Sequence, residues 1–106
     1  MNYVACLVFV GAALLEVSGD AIVRKGLRGG AFFIILLGCC VLGAYGIVVN
    51  TVPWDFSKLL GVYVAVFAAV SVLAGRFVFG ESVPLATWVG LFVIMAGGVI
   101  IQLGSR

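Results

Sequence analysis

Histidine is absent from this sequence and charge is scarce: six lysines and arginines and four acids make up 9% of its 106 residues. Ordinary soluble domains carry about 25% charged residues, so the composition excludes a soluble globular domain. Cys6, Cys39 and Cys40 all fall inside apolar runs and read as small hydrophobes. With no histidine and no telling cysteine spacing, neither a metal site, a haem, nor a disulfide frame is expected. No cofactor is expected either. Proline occurs twice, at Pro53 and Pro84, in both cases between apolar runs. No basic cluster suggests nucleic acid. No nucleophile–base pair or phosphate loop can be assembled, so an enzyme is not expected.

What the chain does have is apolar length. Hydrophobic side chains make up 65% of it, and a helix needs about 20 apolar residues to cross roughly 30 Å of hydrocarbon. Charge and turn residues divide it into four spans of about 3–23, 31–49, 59–79 and 85–103. Unbroken runs of this length cannot be lone strands in lipid, where every backbone group needs a partner. The expected fold is therefore an all-α membrane protein, one domain over residues 1–106 with four transmembrane helices. The first span lacks a basic n-region and a small-residue cleavage site, so it is not expected to be a signal peptide. Arg24, Lys25, Arg28 and Arg76 lie on the side of the first and third turns; Lys58 and Arg106 lie opposite. The positive-inside tendency then puts both termini outside, although so small a bias also suits insertion in both directions.

Small residues suggest how the spans meet, because close backbone approach drives helix association in lipid. Ala5, Ala12 and Gly19 repeat at heptad spacing; Gly61, Ala65, Ala68 and Gly75 form a second narrow face. Gly90 and Gly97 are seven apart on the last span and read as a packing surface.

Glu16 stands out most. It lies deep in the first span, and a charged side chain at the bilayer centre costs about 2.5–3.5 kcal/mol on insertion scales. Such residues face a bundle interior or wet cavity and serve as ion or proton sites. Removal from water favours a carboxyl's neutral form, and a nearby cation favours the charged one. One acid can thus hold a proton or a cation, but not both. Asp20 and Arg24 follow Glu16 at four-residue steps on one helical face. Asp20 is either an ion-pair partner of Arg24 near the headgroups or a second cation site, and Ser18 lies between the two acids. Tyr45 and Tyr63 either turn ring faces toward a cation or sit in the interfacial aromatic belt. Trp54 and Trp88 read as belt residues. Glu81 reads as an acid favouring the N-terminus of the last helix.

These residues resemble the small multidrug resistance transporters of the drug/metabolite transporter superfamily. The resemblance spans nearly the whole chain and rests on three parts. They are Glu16-x-x-Gly19 with Arg24 eight places after the acid, Phe79-Gly80-Glu81 before the last span, and Gly90 with Gly97 within it. It implies an antiparallel homodimer in the bacterial inner membrane, with Gly90 and Gly97 in the dimer seam. It also implies that Glu16 binds protons and a cationic or hydrophobic substrate in turn. The sequence departs from that pattern on the substrate-facing parts. Tyr63 stands near the usual Trp, the third-span glycine pair is missing, and Asp20 is an additional acid. A divergent subgroup is implied. The competing readings are a lipid-carrier flippase subunit, favoured by Arg24-Lys25 and disfavoured by Glu16, and a non-transporting membrane subunit.

Overall fold

The computed structural model of the chain describes residues 3–104. Those residues form four helices, α1 (Tyr3–Gly29), α2 (Phe32–Val49), α3 (Phe56–Phe77) and α4 (Leu85–Gly104), with no strand among them. Each is long and apolar enough to cross a membrane.

α1 does not stop at Val23 as the hydropathy pattern suggests. It continues through Arg24, Lys25 and Arg28 to Gly29, because lysine and arginine interrupt hydropathy but are good helix formers. At 1.5 Å per residue it is about 40 Å long, roughly 10 Å more than the hydrocarbon is thick. Its basic turns are thus carried to headgroup depth. The helix closes on Gly30, whose φ of +65° suits glycine. The Ala31 N–H donates to the Gly26 carbonyl at 2.9 Å, the long-range bond of a Schellman ending. α3 likewise starts three residues earlier and ends two residues sooner than the 59–79 expected. Arg76 is exposed in its last turn. Arg106, counted above for orientation, lies outside the described residues.

α1 and α2 form a tight hairpin packed over glycine. A Cβ added to Gly38 would stand 2.8 Å from the Val23 nitrogen and 3.0 Å from the Gly19 carbonyl oxygen. One added to Gly26 would stand 2.8 Å from the Ile35 nitrogen. Ala5 and Ala12 are buried with Gly19, so the heptad stripe is a packing face and extends one step further, to Gly26. α3 packs against α1, and α4 lies on the far side of α3. There Gly98 meets the Ala65 side chain and Gly61 meets Ile101. Gly98, not its neighbour Gly97, is the glycine used within one chain. Gly90 and Gly97 have nothing within 4 Å of an added Cβ.

The buried core sits at one end of the molecule. It joins Phe9, Ala12 and Ala13 of α1 to Val49 and Val52 near the second turn, and to Leu59, Val62 and Tyr63 of α3. Trp54, expected in an aromatic belt, lies half-buried in the second turn and meets Phe9 edge-on at 5.3 Å. The molecule measures 46 × 34 × 19 Å. Its thickness is about two helix diameters, so most side chains reach a surface and α4 buries Gly98 alone.

Candidate functional site

Glu16 and Tyr63 meet across the α1–α3 contact. The Tyr63 hydroxyl donates to Glu16 Oε1 at 2.8 Å. Tyr63 is 3% exposed, whereas Glu16 is half-buried and open on one side. Rings hold the tyrosine in place. Tyr45 stacks on it at 5.5 Å and 27°, and Phe67 at 6.3 Å and 29°. Phe9, wholly buried, meets it edge-on at 5.8 Å. Periodicity explains the convergence. Phe9 lies two turns before Glu16 and Phe67 one turn after Tyr63, so each pair shares a helical face. Beyond Phe9 come Trp54 and then Lys58, whose Nζ lies 4.2 Å from the Trp54 ring centroid. This end of the site is closed by packed rings.

The other end opens. A cleft of about 600 Å³ runs between the C-terminal half of α1 and the end of α3. Val17, beside Glu16, and Asp20, one turn on, line it together with Phe67 and Ser71. Arg24, Lys25, Arg28 and Glu81 form its outer part. Glu81 is brought there by the turn after α3. Gly80 adopts φ +65°, the Glu81 N–H donates to the Gly75 carbonyl at 2.8 Å, and the side-chain carboxylate stands over Gly75. The expectation that Glu81 serves the α4 dipole is therefore corrected. The first turn of α4 holds no acid, and the carboxylate is folded back onto α3.

Of the residues singled out from sequence, Glu16, Tyr63 and Tyr45 come together. Asp20 is exposed on the cleft and forms no ion pair with Arg24 among the described residues. The four-residue spacing permits that pair, but both side chains border the open cleft instead. No lysine or arginine pairs with Glu16 either. Ser18 does not join the site. Two residues on from Glu16 it points to the opposite side of the helix, at 3.6 residues per turn, and it is exposed without lining the cleft. Phe9, Phe67 and Glu81 were not singled out as site residues. Helical spacing from Glu16 and Tyr63 could have found the two phenylalanines, whereas nothing local marks the fold-back of Glu81.

The Tyr63 hydroxyl can donate to either protonation state of Glu16, using the carboxylate or the carbonyl oxygen of the neutral acid. That leaves the second carboxyl oxygen without a partner among the described residues.

Four helices long and apolar enough to cross a membrane, one of them carrying an acid within its apolar run, define a small multi-pass membrane protein. The family model described as "Uncharacterised BCR, YnfA/UPF0060 family" matches residues 3–106, and the chain belongs to that family. A UPF0060 membrane protein of Mycobacterium marinum is 35% identical over 104 residues, covering 94% of this chain and 93% of its own length. Its counterpart from Mycolicibacterium gilvum is 33% identical with 96% of each chain covered. A third, from Streptomyces avermitilis, is 32% identical over 92% of this chain and 89% of its own. No solved structure matches.

Proposed function

We propose that this protein is a proton-coupled antiporter of the bacterial cell membrane, exporting small cationic or hydrophobic compounds. Glu16 is the shared proton and cargo site. The observation that carries the reading is the Tyr63–Glu16 hydrogen bond inside an aromatic frame, in a chain long enough to cross the bilayer four times. A half-buried, intramembrane carboxyl without a basic partner is costly as a purely structural device, and exchange would explain that cost. Asp20, on the cleft wall one turn from Glu16, attracts cations toward it. The resemblance to small multidrug resistance transporters supports the same assignment and implies two copies. A second copy in antiparallel orientation would enclose the open side of Glu16, with Gly90 and Gly97 at the seam. Both glycines are free of intrachain neighbours at the Cβ position, which leaves their face available.

Purified protein reconstituted in liposomes tests the proposal through currents evoked by guanidinium, quaternary ammonium and polyamine cations. Native protein passes current with at least one class, Asp20→Asn weakens it, and Glu16→Gln abolishes it. Unchanged current in Glu16→Gln rejects the mechanism. Absence of current with every cation favours a lipid-handling or partner role.

A further inference from the structure

The outer cleft holds basic groups that cation exchange at Glu16 does not use. Three basic side chains, Arg24, Lys25 and Arg28, and two acidic ones, Asp20 and Glu81, line one cavity with Val17, Ala21, Phe67 and Phe79. None of these charged groups is ion-paired among the described residues, although they share a space of about 600 Å³. Unpaired charges of both signs around one cavity suit a ligand that itself carries both signs. Depth narrows the class further. Arg24 to Arg28 lie on the part of α1 that outruns the hydrocarbon, while Val17, Ala21 and Phe67 lie one to three turns deeper. A soluble ion needs only the rim; an amphiphile uses both levels.

We infer that this cleft holds the headgroup of a zwitterionic phospholipid, its phosphate against Arg24, Lys25 and Arg28 and its amine against Asp20 and Glu81. Its acyl chains leave past Ala21, Val17 and Phe67 into the bilayer. Arginine suits the phosphate through its planar fork of donors, and Ser71 on the facing helix adds a hydroxyl to the wall. The inference does not depend on antiport, because binding is measured without transport.

The test uses delipidated full-length protein in a non-ionic maltoside micelle. It is titrated by calorimetry with short-chain phosphatidylethanolamine, phosphatidylglycerol, diacylglycerol and inorganic phosphate. Phosphatidylethanolamine binds at least tenfold more tightly than the other three. The triple variant Arg24→Gln, Lys25→Gln, Arg28→Gln weakens it roughly a hundredfold, the product of about one surface-charge interaction per residue lost. Lys58→Gln with Arg76→Gln, which removes positive charge from residues that do not line the cleft, changes it less than threefold. Glu81→Gln brings phosphatidylethanolamine and phosphatidylglycerol to equal affinity. Equal losses in the cleft and control variants reduce the effect to general surface charge and overturn the site. Diacylglycerol or free phosphate binding as tightly as phosphatidylethanolamine overturns the ligand class, as does native phosphatidylglycerol binding that matches it. Helical content by circular dichroism accompanies each variant. If the triple variant unfolds, Ser71→Phe, which fills the cleft wall, decides: binding is lost on the inference, and retained binding refutes it.

Discussion

Replacing Tyr63 by phenylalanine removes one oxygen and leaves the ring. The stacks on Tyr45 and Phe67 and the edge contact with Phe9 are all made by ring carbons, so they survive. What is lost is the 2.8 Å bond to Glu16 Oε1. A hydrogen bond contributes about 0.5–1.5 kcal/mol to a neutral partner and about 1.5–3 kcal/mol to a charged one. If Glu16 is where cargo and proton compete, the difference of about 1–1.5 kcal/mol between the two states appears in the exchange as a shift of roughly 5- to 13-fold in the cation concentration giving half-maximal current. Packing stability should move far less than in Tyr63→Ala, which removes the whole ring from the core at about 3–5 kcal/mol, as for other large aromatics. Liposome currents over a cation series, paired with thermal unfolding in detergent, separate the two effects. Tyr63→Phe currents that superimpose on native ones at every cation concentration would show that the hydroxyl plays no part in exchange.

Other substitutions report on the frame around the site. Gly38→Leu forces a side chain against the α1 backbone at Val23 and Gly19 and should cost about 1–3 kcal/mol by overpacking, read as a lower unfolding temperature in detergent. Gly97→Leu meets open space within one chain, so it should leave the unfolding temperature of monomeric protein unchanged while cross-linked dimer disappears. Trp54→Ala loses the edge contact with Phe9 and the Lys58 ammonium over the ring. A destabilisation of about 1–2.5 kcal/mol is expected from those two interactions, again checked by thermal unfolding.

Glu16 is conspicuous in the sequence because an acid inside a long apolar run has no inexpensive explanation. The four helices are legible for the same reason, apolar length being a strong signal when the solvent is lipid. Boundaries are harder. The basic turns of α1 look like a loop to a hydropathy reading yet are helical, since backbone propensity and side-chain charge are separate properties. The four-residue spacing of Asp20 and Arg24 offers an ion pair, but the cleft offers both side chains an alternative that no local pattern reveals. Tyr45 and Tyr63 stand between belt and site in the sequence; helix packing brings the Tyr63 hydroxyl to Glu16 and stacks Tyr45 on the Tyr63 ring. The fold-back of Glu81 depends on Gly80 and on the carbonyl left free at the end of α3. Such a turn is written in backbone geometry rather than in residue type.

The sharpest trial of the account is a single comparison in liposomes, cation-evoked current for native protein against Glu16→Gln at matched protein density. Charge movement present in the first and absent in the second is the result expected if one intramembrane carboxyl trades hydrogen ions for cargo. Equal charge movement in both would mean that the exchange takes place elsewhere in the chain.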